Sequence, residues 1–412
     1  MKVGIIGGGS SGLMAGISCA DCGHEVEIIE HMIRPGKKLL LTGSGKCNLT
    51  NRDMDINHFH CNDLKKVINI LNCFDNGSTI SFFEKLGLLT KERNGYYYPY
   101  QDQACAVLDI LRYRLRNLGV NIRTECDVTD IIPKNSGYIV STSAGDFYYD
   151  AVIMAQGSKA APKTGSDGSG YELAKKLGHK IVKPLPALTQ LRCKEDFFPS
   201  LAGIRCQGSV SIKVDGCIVA SDKGELQLNN YGISGIPVMQ VSHLAVKSLY
   251  EGKKVNASLC FLPGVFDGST TLEEACRVCS EMLKERFASD NQKTCEESLI
   301  GLFNKNLGNC ILKRCNIYLN KKACLLDDKQ INLISRMILD FEVCVIGANG
   351  FDSCQICQGG VDINEVTCNL ESIHCKNLFF CGEILDVHGD CGGYNLQWAW
   401  SSGYVAGRIG DI

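Results

Sequence analysis

The sequence predicts an α/β protein built on a parallel sheet, and three stretches carry that prediction. The first, Lys2-Val3-Gly4-Ile5-Ile6-Gly7-Gly8-Gly9-Ser10-Ser11-Gly12, reads as a buried strand, a glycine turn and a helix start. Gly7, Gly9 and Gly12 stand at G-x-G-x-x-G spacing. The first glycine permits the tight turn, the second lets the backbone approach a pyrophosphate, and the third lets helix pack on strand. The helix N-terminus adds oriented N–H groups for an anion. The second stretch, Val26-Glu27-Ile28-Ile29-Glu30, is a strand ending on an acid 18 residues past Gly12. A carboxylate that holds a ribose hydroxyl is expected at that distance. The third, Asp150-Ala151-Val152-Ile153-Met154-Ala155-Gln156-Gly157, is a buried strand entering a small-residue turn. Together they predict a dinucleotide site.

At 412 residues the chain has room for roughly two to three domains. Lys+Arg 43 against Asp+Glu 45 leaves a net charge of −2, so no global field invites nucleic acid or an anionic membrane. No stretch approaches the ~18 consecutive apolar residues of a spanning helix. A strand beginning at Lys2 leaves no room for a leader in front of the fold, and a cytoplasmic protein is expected. The 24 cysteines include C-x-x-C pairs at Cys19/Cys22, Cys276/Cys279 and Cys354/Cys357. None is flanked by a histidine pair or a nearby second C-x-x-C, and the last sits in a strand-like run where i and i+3 face opposite ways. They read as small buried hydrophobes in a reducing cytoplasm, with no metal expected.

Further along, residues 31–60 form a glycine- and lysine-rich connection, and residues 63–118 read as helices interrupted at Tyr96-Tyr97-Tyr98-Pro99. Strand-like segments follow at Val120–Thr124, Gly137–Ser141 and Phe147–Tyr149. From about 191 to 265 short alternating strands dominate, as in Ser209–Val214 and Ala257–Leu262, and from 266 to 339 the pattern is helical. Phe341–Ile346 and Gln355–Cys357 read as returning strands. Asn377–Cys381 is a last buried strand, ending in Gly382-Glu383 before the helix opened by Gly392-Gly393-Tyr394-Asn395-Leu396-Gln397. The parse is a discontinuous nucleotide-binding domain (1–190 and 358–412) with an inserted β-barrel-like domain (191–265 and 340–357) and a helical subdomain (266–339).

Four blocks resemble one family: Gly7–Gly12; Gly36-Lys37-Lys38-Leu39 with Thr42-Gly43-Ser44-Gly45-Lys46-Cys47-Asn48; Lys163-Thr164-Gly165-Ser166 with Gly168 and Gly170-Tyr171; and Gly382-Glu383-Ile384-Leu385-Asp386 with Gly392–Ala399. Tyr231-Gly232-Ile233-Ser234-Gly235 adds to them. The chain is similar, over essentially its whole length, to the YhiN/BaiN-type family of NAD(P)/FAD-dependent oxidoreductases. The resemblance implies a three-layer, Rossmann-like FAD-binding domain of the α/β class with an inserted small β-barrel and a helical subdomain. It also implies FAD as cofactor, NADH or NADPH as a transient co-substrate, and a hydrophobic small-molecule substrate. Some family members are associated with reducing conjugated double bonds of 3-oxo bile-acid intermediates.

On this reading Gly7, Gly9, Ser10, Ser11 and Gly12 cradle the pyrophosphate and Glu30 holds the adenosine ribose. Lys37 or Lys38 neutralises phosphate charge, the alternative being a solvated surface pair. The resemblance places Gly45, Lys46 and Asn48 beside pyrophosphate and flavin, Ala155 and Gly157 near the pyrophosphate, and Gly382-Glu383 at the ribityl chain. The helix start at Asn395-Leu396 points its positive dipole end at the pyrimidine end of the flavin. A proton donor is sought among Tyr231, Tyr394, Asp386 and His388, with core packing the alternative for Tyr231 and a surface loop that for His388.

Cys47 stands without the second cysteine of a C-x-x-x-x-C, which excludes disulfide-reductase chemistry. No second G-x-G-x-x-G follows a mid-chain strand, so a nicotinamide has no domain of its own. The leading expectation is an oxidoreductase reducing an activated C=C bond of a steroid-like substrate. The alternatives are an FAD oxidase or dehydrogenase of a small amine or hydroxy compound, and a flavin-dependent RNA-modifying or binding protein. Oligomeric state stays open.

Overall fold

In Lys2–Ile6 the four residues from Val3 onward are buried, as a central strand covered on both faces requires. The computed structural model describes residues 1–265 and 271–410. Its contacts divide into two units, Met1–Pro186 with Phe351–Ile412, and Ala187–Gly350. In the first unit five strands form a wholly parallel sheet. Their order is Leu378–Phe380, Ala151–Met154, Lys2–Ile6, Glu25–Ile29, Asn121–Arg123.

Strand alternation separates the layers above and below this sheet. Ile28 faces the helix Ser10–Asp21, which in turn packs against Leu115 of the helix Ala104–Asn117. Gly4 and Glu27 face the other way, onto Tyr149 of an antiparallel sheet made by Val128–Lys134, Gly137–Thr142 and Gly145–Tyr149. A Cβ at Gly4 would lie 2.7 Å from the Tyr149 ring, so the two sheets meet only because residue 4 has no side chain.

Glu27 is buried, and four donor atoms satisfy it. The Tyr149 hydroxyl donates to Oε2 at 2.7 Å. Asn121 Nδ2 donates to Oε1 at 2.7 Å, and Arg123 donates to Oε1 from Nε at 3.0 Å and from Nη2 at 2.7 Å. Burial pushes this carboxyl up, but the Tyr149 hydroxyl and the Arg123 guanidinium outweigh it and hold it below its ordinary value. A lowered native value stabilises the fold above the unfolded glutamate range, ~4.3, and that contribution is lost as the pH falls through the native value. Urea unfolding of the wild type will therefore weaken between about pH 5 and pH 3, and Glu27→Gln will flatten that decline. At pH 7 the substitution will cost about 1–3 kcal/mol, the scale of hydrogen bonds to a charged group.

The second unit carries a closed barrel of six antiparallel strands. In order around the barrel they are Leu191–Cys193, Gly232–Ser234, Cys217–Asn229, Arg205–Val214, Val255–Cys260 and Phe341–Ala348. Its interior follows the period of two visible in the sequence: Val210 and Ile212, Leu226 and Leu228, Ala257 and Leu259, Val343 and Val345 are all buried. Helices Leu272–Ala288, Lys305–Arg314 and Asp328–Leu339 occupy the region expected to be helical. Residues 266–270 of that region lie outside the described residues.

Two local expectations change. Tyr96–Pro99 does more than interrupt helices: it is a strand paired with Thr50–Asn51 and Thr90–Arg93. Cys354 precedes the strand Ile356–Val361 and does not alternate with Cys357, so both thiols pack in one buried cluster with Ala160. No helix of the described residues is long and apolar enough to cross a membrane.

Candidate active site

The glycine turn is sterically forced. Gly7 has φ +103, and its N–H donates to Ile29 O at 2.8 Å. A Cβ at Gly12 would sit 1.9 Å from Gly7 O. At Gly9 nothing lies within 4 Å of the Cβ position, so the outer side of the turn is open. Ser10 and Ser11 begin the helix there, and Ser11 Oγ donates to Cys381 O at 3.4 Å. Glu30 is buried at the turn's flank, its Oε2 accepting from Gly8 N and its Oε1 from Met32 N, both at 2.8 Å.

Two later segments return to this turn. Ala155 N donates to Ile6 O at 2.8 Å, and a Cβ at Gly7 would lie 2.5 Å from Ala155 O. Gly157 (φ +75) follows and faces Ser166 and Glu383. Gly382 (φ +76) sits so near Ser11 Oγ that a Cβ would come within 2.3 Å. The last helix, Tyr394–Gly407, holds Gly382 from behind: Ser402 Oγ accepts from Gly382 N at 2.9 Å, and Trp398 Nε1 donates to Gly382 O at 3.1 Å. Gly7–Gly12, Ala155–Gly157 and Gly382-Glu383 thus form one wall.

Lys38 Nζ donates to Glu383 Oε2 at 2.6 Å, and Ser158 Oγ donates to the same oxygen at 3.2 Å. Lys37 is exposed and donates to Lys163 O at 2.7 Å. Asn48 Oδ1 and both amide atoms of Gln156 are buried with no hydrogen-bond partner. Orphaned buried polar groups call for an occupant. With an open glycine turn at a helix N-terminus, they fit the pyrophosphate and polar chain of a dinucleotide. Gln156 belongs to the signal, in the turn after a buried strand, but its side chain was not predicted. Gly45 and Lys46 are exposed, and Lys46 lines a cavity of about 180 Å³ with Arg93, Asn94, Tyr96, Tyr98 and Asp102. Cys47, the next residue, is fully buried, and burial pushes its thiol up to about 12, which leaves it unreactive.

The proton-donor candidates separate. Tyr231 lies in the barrel unit, with the Arg192 guanidinium 6.0 Å from its ring centre. Asp386 is buried, and its Oδ1 accepts from Gly359 N at 2.8 Å. Tyr394 is buried, stacked on His58 at 4.4 Å and edge-on to Phe59 at 5.8 Å, and burial pushes its phenol up. His388 is buried rather than on a surface loop, in the two-residue strand His388–Gly389 that pairs antiparallel with Phe59–His60. That pairing brings the His60 and His388 rings to 5.0 Å.

The pairing also assembles a group the sequence did not announce. Asp390 Oδ2 lies 2.9 Å from His58 Nδ1, and its Oδ1 lies 2.9 Å from His60 Nε2. Burial pushes the Asp390 carboxyl up, but the His60 and His58 imidazoles outweigh it and hold it below its ordinary value. One carboxylate thus orients two half-exposed imidazoles beside a third. Asn395 does not aim outward: its Oδ1 accepts from Gly389 N at 2.7 Å, and its Nδ2 donates to Gly389 O and Asp390 O at 2.8 and 3.1 Å. It therefore clamps the loop bearing Asp390, while Leu396 packs on the main core. The sequence trace of this cluster is the spacing of two in His58-Phe59-His60 and His388-Gly389-Asp390; His58 ends a 3-10 turn and Asp390 follows the strand His388–Gly389, so the two-residue ladder itself holds only His60 and His388.

The HI0933-like protein Rossmann domain family matches this chain over residues 1–409. The chain is 41% identical over 414 residues to a 3-dehydro-bile acid delta(4,6)-reductase of Clostridium scindens, covering 99% of this chain and 98% of that protein. It is 26% identical over 411 residues to a ribosomal RNA dihydrouridine synthase of Escherichia coli, covering 98% and 96%. Among solved structures, the quinol fumarate reductase chain FrdA of E. coli aligns with a TM-score of 0.50 at 15% identity, covering 99% of this chain and 69% of that one, a likeness of fold. Matched over nearly its whole length by the family, and 41% identical to a full-length relative, this chain belongs to the HI0933-like family of Rossmann-fold, FAD-dependent oxidoreductases.

Proposed function

We propose that this protein reduces a conjugated C=C bond of a 3-oxo steroid or bile-acid-like substrate, with NADH or NADPH as the electron source. The observation that carries this reading is the 41% identity, along both whole chains, to a reductase named for that substrate class. FAD, when bound, supplies the hydride chemistry. The residues of the chain then have separable tasks. Gly9, Ser10, Ser11 and Gly12 receive the pyrophosphate on backbone N–H groups, Gly7, whose own N–H is tied to Ile29 O, shapes the turn, and Ala155 and Gly157 stand at its side. Glu30 takes the adenosine ribose with the outward lone pairs of its carboxylate. Lys38 sets the Glu383 carboxylate for the ribityl hydroxyls, and Gln156 and Asn48 donate and accept beside them.

Reducing an enone adds hydride to the β-carbon and a proton to the α-carbon. The proton belongs to the imidazole group: Asp390 lies 2.9 Å from His60 Nε2 and 2.9 Å from His58 Nδ1 and fixes both rings as the acid that delivers it. His388 and His58 extend the same group.

A second reading has one observation in its favour, the full-length likeness to ribosomal RNA dihydrouridine synthases. Dihydrouridine differs from uridine by two hydrogens across a C=C bond conjugated to a carbonyl, the same class of reaction on a different molecule. The lower identity and the net charge of −2 set it behind the steroid reading.

An anaerobic absorbance titration separates these readings. NADH or NADPH is expected to bleach the flavin band, and a 3-oxo-4,6-diene steroid to restore it. Restoration by ribosomal RNA alone would shift the substrate to RNA. Failure of both nicotinamides, with peroxide formed from a small amine or hydroxy compound in air, would make the protein an oxidase.

A further inference from the structure

A second histidine–carboxylate cluster lies outside the groups assigned above. His179 follows the helix Ser169–Lys176, whose chain turns at Gly178 (φ +95). Its side chain is 0% exposed, set edge-on against Phe380 at 4.6 Å and His374 at 4.9 Å. Nε2 stands 2.8 Å from Ser372 Oγ, an oxygen fixed by the backbone N–H groups of His374 and Cys375. Nδ1 is buried with no hydrogen-bond partner. Glu365 Oε2 lies 3.4 Å from that nitrogen and 3.5 Å from His374 Nε2, and all three atoms fall within 4.8 Å of one another.

We propose that His179 Nδ1, Glu365 Oε2 and His374 Nε2 bind one divalent transition-metal ion of the zinc class. Two imidazoles and one carboxylate are a donor set suited to such an ion, and ligand atoms at about 2.0–2.1 Å from a tetrahedral zinc stand roughly 3.4 Å apart. The buried His179 ring directs Nδ1, which has no hydrogen-bond partner, at Glu365 Oε2 3.4 Å away. Ser372 is placed to hold the ring's orientation from the far nitrogen, as a metal-bound histidine requires. Glu365 is held in place without an ion: its Oε2 accepts from Lys180 N at 2.6 Å, and its backbone O accepts from Ile373 N at 3.0 Å. His374, with 38% of its side chain exposed, opens the fourth position to solvent.

The test is equilibrium dialysis of the FAD-loaded full chain against buffered zinc, comparing wild type with His374→Ala and His374→Asp. Zinc held by any of the 24 cysteines is common to all three and cancels. The wild type is expected to hold one zinc more than His374→Ala, whose affinity at this site falls on the order of a hundredfold, while His374→Asp, which keeps a ligand, retains the ion. His374 is exposed enough for either variant to fold, and a circular dichroism melt verifies it. Equal zinc content and affinity in wild type and His374→Ala would overturn the proposal, as would no zinc in the wild type beyond the thiol background.

Discussion

Gly12→Val is expected to yield a colourless protein. The new Cβ would be placed 1.9 Å from Gly7 O and 3.3 Å from the Ala155 Cβ, and neither neighbour can retreat. Gly7 is tied to Ile29 O in the next strand, and Ala155 N is tied to Ile6 O. Overpacking of this kind costs about 1–3 kcal/mol even where the surroundings can give, and here they are the central sheet. Folding stability and flavin content will therefore fall together, so this variant alone cannot separate a broken fold from a lost site. Gly9→Ala can. Gly9 has φ −78, and its Cβ position meets nothing within 4 Å, so alanine fits the apoprotein without strain. The space it fills is the one proposed for the pyrophosphate. The melting temperature of the apoprotein is expected to stay within a degree or two, while the FAD dissociation constant rises on the order of tenfold or more. Wild-type FAD affinity in Gly9→Ala would move the pyrophosphate away from this turn.

The second large effect is expected at Asp390. Asparagine keeps the shape but removes the carboxylate that orients both imidazoles. General-acid assistance is worth ~10²- to 10⁴-fold, so steady-state turnover should drop within that range. The loss should be confined to one half of the cycle. Flavin reduction by NADH or NADPH needs no proton from this group and should remain within about twofold, whereas reoxidation by the enone should slow by the full factor. Stopped-flow absorbance resolves the two halves. An Asp390→Asn protein that slows both equally has lost its architecture; one that slows neither assigns the proton to another donor.

What the sequence discloses follows from the range of each interaction. The glycine turn is readable because its constraints fall within six residues and only glycine meets them at Gly7 and Gly12. The parallel strands are readable because burial on both faces demands unbroken apolar runs such as Val152–Met154. The barrel is readable from alternation in Ser209–Val214. The imidazole cluster is not, because it depends on a ladder two residues long joining Phe59–His60 to His388–Gly389 across more than 300 positions, too short for any period to show. The same distance hides the Lys38–Glu383 pair, although both residues sit in recognisable blocks. The Tyr96–Pro99 strand is masked by its own proline and by helix-like neighbours. Cys354 and Cys357 misled because the strand begins between them.

The parallel sheet closes late in synthesis. Its edge strand Leu378–Phe380 pairs with Ala151–Met154, and Gly403 of the last helix lies so near Ser11 O that a Cβ would come within 2.5 Å. Both pieces leave the ribosome only after the entire barrel unit has emerged. Until then the nascent chain carries an unpaired edge at Ala151–Met154 and an uncovered first helix, the exposed surfaces on which chaperones act and aggregation begins. The barrel, whose strands all fall within one uninterrupted stretch, can fold in the meantime. Translation speed and chaperone supply during the last stretch of synthesis should thus govern how much protein acquires its cofactor site, and slowing translation there should raise soluble yield without altering the finished enzyme.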